Sequence, residues 1–155
     1  MAVSEPDFHV VLVAPEIPPN TGTTARLCAA TGSRLHLVGP LGFSLEDRYL
    51  RRAGLDYWPH VDLEVHESWP SFCERHPRAP LKLFSARATL SYTAVAYSPG
   101  DFLVFGGETK GLPPEVLSAH PAYTIPMHGS GVRSLNLANC AAIVLYEGLR
   151  QLGKT

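Results

Sequence analysis

Short apolar runs alternate with helix-forming segments along this chain, and this alternation restricts the fold more than any other feature of the sequence. The clearest run is HVVLVA at residues 9–14, whose β-branched side chains are typical of a buried strand in a parallel sheet. Similar runs recur at residues 35–38, 63–65, 81–85 and 101–105. Strands separated by helical segments predict an α/β fold with a mostly parallel sheet flanked by helices.

The segments between the predicted strands carry helix signals. Asn20 or Thr21 is predicted to cap a first helix, and Gly32 is predicted to end it. Ser44 is predicted to cap a second helix. Residues 86–97 are rich in Ser, Thr and Ala, and we expect them to be irregular.

The C-terminal segment, residues 123–150, has the pattern of a ligand site. It passes from a short apolar strand through the Gly/Ser-rich loop HGSGVRS into a long helix whose cap is predicted at Ser134 or Asn136. Free N–H groups converge at a helix N-terminus, and glycines let a ligand approach the backbone. A tight turn without a ligand is the alternative explanation of these glycines.

Two further loops, PEIPPNTG and GGETKGLP, also leave predicted strands. Ligands of open parallel sheets bind beyond the carboxyl ends of the strands. These two loops and HGSGVRS are therefore the three loops that we expect to bind a ligand.

Composition limits the class of protein. A chain of 155 residues with 45% hydrophobic residues is most simply one domain, residues 1–155, with a substantial core. It has no apolar run long enough to span a membrane, and residues 1–8 lack the apolar core of a signal peptide. The net charge of −1 argues against a protein that coats nucleic acid by bulk electrostatics, although a local basic patch stays possible.

The cysteines and histidines give no sign of a metal or redox centre. The three cysteines, Cys28, Cys73 and Cys140, form no CxxC pair, so we expect buried free thiols in a reducing compartment. The seven histidines show no ligand spacing such as HExxH. The sequence therefore predicts a cytoplasmic protein without a metal.

Three arginines of the second predicted helix stand out. Arg48, Arg51 and Arg52 occupy i, i+3 and i+4 positions and so share one helix face. A solvated surface is one interpretation. The other is a phosphate-binding patch that uses the nearby Tyr57 and Trp58 as stacking surfaces.

Two charged residues lie in or after strand-exit loops. Arg26 follows the Asn-Thr-Gly loop and could fix a phosphate or stabilise the anion of a hydroxyl, since a guanidinium is a poor proton acceptor. Glu108 follows two glycines and could orient a polar ligand or simply bind nearby N–H groups.

GxGxxG, the P-loop and the GxSxG elbow are all missing, which leaves dinucleotide, NTPase and hydrolase chemistry without support.

Three segments in order resemble the motifs of one family. PNTGTTAR at residues 19–26, FGGETKGLP at 105–113 and IPMHGSGVRSLNLANCAAIVLYE at 125–147 are similar to the three motifs of SPOUT-class RNA 2′-O-ribose methyltransferases. Residues 34–58 resemble the small TrmL branch, which methylates the wobble nucleotide of tRNA. The resemblance covers nearly the whole chain. It implies an α/β fold whose C-terminal segment forms a deep trefoil knot.

The resemblance also implies a cofactor and its site. The family binds S-adenosylmethionine in the knot loops, largely through main-chain groups. The residues expected to line or surround that pocket are Ala86, Gly106, Glu108, Ile125, Met127, Ser134, Leu135 and Asn136.

The family further implies a homodimer that packs knot against knot and binds the tRNA anticodon region across both subunits. Arg26 matches the arginine thought to activate the ribose 2′-hydroxyl, either in its own site or in the partner's. Since the methyl group leaves a sulfonium, the reaction needs no metal. Arg48, Arg51 and Arg52 become expected RNA contacts. The expected activity is 2′-O-methylation of cytidine or uridine 34; another tRNA position, ribosomal RNA and a non-catalytic binding module are the alternatives.

Overall fold

The structure, a computed structural model, describes residues 5–54 and 57–155, with the side chains of residues 53 and 54 left out. Part of the N-terminal segment excluded above as a signal peptide, residues 1–4, lies outside these ranges. Seven strands form one sheet in the order β3-β2-β1-β6-β4-β7-β5, and every pairing is parallel. The strands are β1 Phe8–Val13, β2 Arg34–Val38, β3 Asp62–His66, β4 Leu81–Phe84, β5 Leu90–Ser91, β6 Asp101–Gly106 and β7 Ala122–Thr124.

Helices cover both faces of the sheet. They are α1 Pro18–Thr31, α2 Arg48–Gly54, α3 Trp69–Arg75, α4 Pro114–Ala119 and α5 Leu137–Gln151, with short 3-10 turns at Trp58–His60 and Tyr92–Ala94. Strand β1 is buried on both sides because its alternate residues enter two cores. Val10 and Leu12 pack with α1 and α5, whereas Val11 and Val13 pack with α3 and α4. The predicted α/β class with a parallel sheet is confirmed.

The position of β7 is the unusual feature of the topology. Phe84 of β4 and Leu90 of β5 both lie opposite Tyr123 of β7, one on each side of it. Residues 85–89 therefore cross from one side of β7 to the other. This arrangement is consistent with the predicted C-terminal knot.

Two predicted helix starts are wrong. Helix α1 begins at Pro18, before Asn20 and Thr21, because a proline suits the first helical position and loses no hydrogen bond there. Helix α2 begins at Arg48, later than a cap at Ser44 would place it, and the Asp47 carboxylate accepts hydrogen bonds from the backbone N–H groups just inside the helix.

Two other predicted helix boundaries, the end of α1 and the start of α5, are confirmed. Gly32 ends α1 with a left-handed φ of 67°, which a glycine adopts without steric cost. Asn136 caps α5 and accepts a hydrogen bond from the backbone N–H of Asn139 at 3.2 Å.

Residues 86–97, predicted to be irregular, contain the short strand β5 and a 3-10 turn. Within the described ranges, no helix has the length and apolar character needed to span a membrane.

Candidate active site

A cleft of about 620 Å³ opens at the carboxyl ends of β4, β6 and β7. This volume lies in the range of about 300–1,000 Å³ that is usual for small-molecule sites. Its walls come from the segments that follow these strands and from the start of α1. The three strand-exit loops singled out in the sequence thus contribute to one site, where parallel sheets bind their ligands.

The structure brings together every residue that the sequence assigns to the cofactor pocket. All eight line this cleft: Ala86, Gly106, Glu108, Ile125, Met127, Ser134, Leu135 and Asn136. They come from three parts of the chain: the segment after β4, the end of β6 with its loop, and the segment between β7 and α5. Their role in binding a cofactor stays a prediction.

Glu108 joins the β6 loop to the start of α1. Its carboxylate accepts hydrogen bonds from the backbone N–H groups of Glu16 and Ile17, both at 2.8 Å, and from Asn20 Nδ2 at 3.1 Å. Helix α1 has no side-chain cap of its own, so this carboxylate supplies the negative charge that a helix N-terminus favours. The interpretation of Glu108 as a loop carboxylate that binds N–H groups therefore describes its geometry, although it also faces the cleft.

Asn20 is a cleft residue that the sequence reasoning missed. Its amide nitrogen donates to Glu108, and its amide oxygen accepts a hydrogen bond from Asn136 Nδ2 at 2.9 Å. Asn20 thereby connects α1, the β6 loop and the start of α5 across the cleft. Its only signal was its place in the strand-exit loop PEIPPNTG, where it was considered as a helix cap.

Glycines make the β6 loop tight. A Cβ added to Gly106 would overlap the backbone of Gly111 and Leu112, because the loop folds back on itself there. Gly111 has a φ of +66°, which favours glycine. A Cβ on Gly107 would lie 2.5 Å from the carbonyl oxygen of Ala14. The glycines thus allow the loops after β1 and β6 to pack backbone against backbone.

Arg26 lies apart from the cleft of its own chain. Its side chain is exposed on α1, and its guanidinium carbon lies 4.5 Å from the centre of the Tyr57 ring. Arg51 lies 5.8 Å from the centre of the neighbouring Trp58 ring. The two aromatic residues therefore connect Arg26 with helix α2.

We call the surface formed by Arg26, Arg48, Arg51 and Arg52 the arginine surface. Arg48 and Arg52 are exposed and border a small depression beside Tyr49. The Arg51 guanidinium already has partners in its own chain, because it donates hydrogen bonds to the carbonyl oxygen of Leu45 and to Glu46 Oε1, both at 3.2 Å. Arg48 and Arg52 are accordingly more available to an external partner than Arg51.

Two further sets of ionisable groups are not suited to chemistry in the cleft. Burial raises the pKa of the Cys140 thiol, which lines the cleft, so this cysteine is a weak nucleophile at neutral pH. His9 and His36 are buried in the sheet beneath α3. Burial, with neighbouring positive charge, lowers the pKa of His9 to about 4 and that of His36 to about 2. Both imidazoles are therefore neutral at physiological pH.

Comparison with known proteins assigns the chain to a class. Residues 7–146 match the model of the SpoU rRNA Methylase family. The chain belongs to this family, and the predicted membership of the SPOUT methyltransferase class is confirmed.

Individual relatives extend over nearly the full chain. A tRNA (cytidine(34)-2′-O)-methyltransferase of Burkholderia ambifaria is 48% identical over 151 residues, which cover 94% of this chain and 96% of the relative. A solved structure that gives insights into the 2-OH methylation of C/U34 on tRNA is 50% identical, with a TM-score of 0.91, and the match covers 96% of this chain and 97% of that one.

A more distant relative carries a bound ligand. The SpoU methyltransferase AviRb of Streptomyces viridochromogenes, in complex with the cofactor AdoMet, is 25% identical, with a TM-score of 0.84. The match covers 98% of this chain and 63% of AviRb.

Proposed function

We propose that the protein is a methyltransferase that transfers a methyl group from S-adenosylmethionine to the ribose 2′-oxygen of the wobble nucleotide of tRNA, cytidine or uridine 34. The observation that carries this proposal is the end-to-end likeness to tRNA (cytidine(34)-2′-O)-methyltransferases, with 48% identity to the Burkholderia ambifaria enzyme. The match covers 94% of this chain and 96% of that relative, so the likeness extends over nearly the whole length of both.

The cleft fits S-adenosylmethionine. It combines apolar side chains such as Ile125 and Leu135 with backbone-rich loops, and these suit an adenosine that is recognised largely through main-chain groups. The likeness to AviRb, which was solved with AdoMet, supports the same ligand. When bound, the cofactor supplies a methyl group already activated by a sulfonium charge. The Glu108–Asn20–Asn136 connection keeps the wall of the cleft in place.

The ribose hydroxyl is a weak nucleophile, so the enzyme has to align it and favour its anion. Arg26 supplies a fixed positive charge suited to this role. Since Arg26 lies on the arginine surface and not in the wall of its own cleft, we propose that it acts at the cleft of a partner subunit.

A homodimer is supported by apolar side chains near the cleft. Val132 of the β7–α5 loop is 66% exposed, and Ile143 and Tyr146 of α5 are 36% and 49% exposed. Ile143 and Tyr146 are three positions apart and share one face of α5, and exposed apolar side chains that lie together mark an interaction site. We propose that two copies pack through this surface.

We also propose that tRNA contacts Arg48, Arg51 and Arg52. The proposed location of the protein is the cytoplasm, and the proposed domain organisation is a single domain over residues 1–155.

The decisive test is methyl transfer from labelled S-adenosylmethionine to tRNA that lacks 2′-O-methylation, followed by mapping of the label. We expect label on the ribose of nucleotide 34. Label at another tRNA position or only on ribosomal RNA would retain the chemistry and overturn the substrate assignment. Cofactor binding without transfer to any RNA would identify a binding module instead.

A further inference from the structure

Four potential metal ligands converge on the side of the sheet that carries α3. His36 comes from β2, Glu64 and His66 come from β3, and His76 directly follows α3. One ligand atom of each residue lies within 4.8 Å of those of the other three. His36 is fully buried, and the side chains of Glu64 and His76 are only 17% and 19% exposed. This group is separate from the cleft, since none of its members lines that site.

The distances match those between the ligands of a small tetrahedral ion. His36 Nδ1 lies 3.1 Å from His66 Nε2, and Glu64 Oε1 lies 3.2 Å from His66 Nε2 and 3.9 Å from His36 Nδ1. Zinc bonds of about 2.0–2.1 Å in a tetrahedron separate neighbouring ligand atoms by about 3.3 Å. The fourth candidate ligand, His76 Nε2, lies 2.7 Å from Glu64 Oε1, closer than this spacing, and its ligand atom lies within 4.8 Å of those of His36 and His66.

A second layer of contacts orients the most buried ligand. His9 Nδ1 lies 2.8 Å from His36 Nε2. When His36 donates its Nε2 proton to His9, the lone pair of its Nδ1 points at the converging group. His9 is itself held by stacking on Phe102, with 3.9 Å between ring centres. Partners that fix the tautomer of a ligating histidine are a regular part of metal sites.

We propose that His36, Glu64, His66 and His76 bind one Zn²⁺ ion that links β2, β3 and the end of α3. Three imidazoles and one carboxylate around a tetrahedral ion form a donor set that suits zinc. Because four protein ligands leave no open position, the ion has a structural role and takes no part in methyl transfer.

One neighbour has to move for the ion to bind. Arg75 Nε lies 2.9 Å from Glu64 Oε1 in an ion pair, and its positive charge would repel a cation at this oxygen. Its side chain is 67% exposed, so it can turn into solvent. Without a metal, the group is held by the hydrogen bonds His76–Glu64 and His36–His66 and by the ion pair between Arg75 and Glu64. These polar contacts are the competing explanation of the geometry.

The test is zinc binding by the purified full-length protein after dialysis against EDTA. We expect one Zn²⁺ per chain in a titration against a chromophoric chelator, and a zinc-dependent rise of Tm that EDTA reverses. Substitution with Co²⁺ should give the visible absorption of a tetrahedral nitrogen and oxygen site. Absence of binding at micromolar zinc would overturn the proposal in favour of the hydrogen-bonded network.

Variants locate the ion. His76→Ala and Glu64→Gln remove ligands from the less buried side, and each should weaken zinc binding at least tenfold while far-UV circular dichroism stays unchanged. The matched control is His60→Ala, which removes an exposed histidine outside the group and should bind zinc like the wild type. Equal zinc affinity in the wild type and both ligand variants would overturn the proposal.

Discussion

Arg26 shows how the role of one residue depends on what surrounds it. On α1 its guanidinium stacks on Tyr57, a contact that holds the charge in place without neutralising it. Since a guanidinium is a poor proton acceptor, we expect Arg26 to act by stabilising negative charge on the ribose oxygen. A fixed positive charge at a developing anion contributes to the rate and not to cofactor affinity.

Replacing Arg26 by Ala should lower single-turnover methyl transfer by about 10²–10³-fold, the usual effect of removing one stabilising donor. The Kd for S-adenosylmethionine, measured by calorimetry, should stay at the wild-type value. Arg26→Lys is the matched control, because it retains the positive charge without the planar guanidinium. Its rate of methyl transfer should lie between those of the wild type and Arg26→Ala. Parallel loss of rate and cofactor affinity in Arg26→Ala would assign Arg26 a structural role.

Glu108 is the second residue whose role depends on its partners. Its carboxylate accepts two backbone hydrogen bonds at the start of α1. Glu108→Gln removes the charge and one acceptor, and we expect a loss of about 1–3 kcal/mol in the free energy of unfolding. Urea unfolding measures this change. Glu115→Gln, at an exposed position in the first turn of α4, should change stability by less than about 0.5 kcal/mol. Equal effects of the two substitutions would show that the contacts of Glu108 with α1 contribute nothing.

At the scale of elements, α2 presents its arginines in two different ways. Arg48 and Arg52 face a depression on the surface, whereas Arg51 bonds to Leu45 and Glu46. Periodicity alone places all three on one face, and it does not reveal that one of them is occupied. Helix α2 also packs on α1, and the adjacent residues Tyr57 and Trp58 lie beside Arg26 of α1 and Arg51 of α2.

The double variant Arg48→Ala/Arg52→Ala should weaken tRNA binding and reduce the slope of log K against log salt concentration by about 1.4–1.8. Each lost phosphate contact accounts for about 0.7–0.9 of that slope. Filter binding between 50 and 200 mM salt measures it. Arg78→Ala/Lys154→Ala removes the same charge from other parts of the surface and should leave the slope nearly unchanged. If both double variants behave alike, α2 carries only solvated charges.

At the scale of the whole molecule, the separation between Arg26 and its own cleft is the central observation. The cleft lies at the ends of β4, β6 and β7, and the arginine surface extends over α1 and α2. A homodimer with two-fold symmetry can bring the arginine surface of one subunit to the cleft of the other. Each active site would then be shared between two chains.

Shared sites predict complementation between two inactive variants. Arg26→Ala leaves the cleft intact, and Gly106→Ala disrupts the β6 loop by overlap with Gly111 but leaves Arg26 in place. Co-refolded mixtures should recover roughly a quarter of wild-type activity, because half of the dimers are mixed and each contains one complete site. Each variant refolded alone is the control, and size-exclusion chromatography with light scattering checks the dimer. Mixtures as inactive as their components would place Arg26 in the site of its own subunit.

Local features of the chain determined most of the architecture. The apolar run at residues 9–14 became β1 because its residues are suited to burial on both faces of a sheet. Gly32 and Asn136 ended and began helices as predicted, since these signals act within one helical turn. The resemblance of three short motifs also identified the residues that meet in the cleft. Strands, helix boundaries and short motifs can be predicted from sequence because each depends on residues that are close together in the chain.

Only the tertiary structure decided the contacts that bridge distant parts of the chain. The N–H groups at the start of α1 are satisfied by Glu108, which is separated from Ile17 by 91 positions, so no local cap was needed and the predicted start was wrong. His36, Glu64, His66 and His76 share no recognisable ligand spacing and meet only because β2, β3 and α3 are neighbours. The insertion of β7 between β4 and β5 likewise depends on the path of the chain in space. Linear spacing records which side chains are near in sequence, whereas these features depend on which backbones the packed sheet brings together.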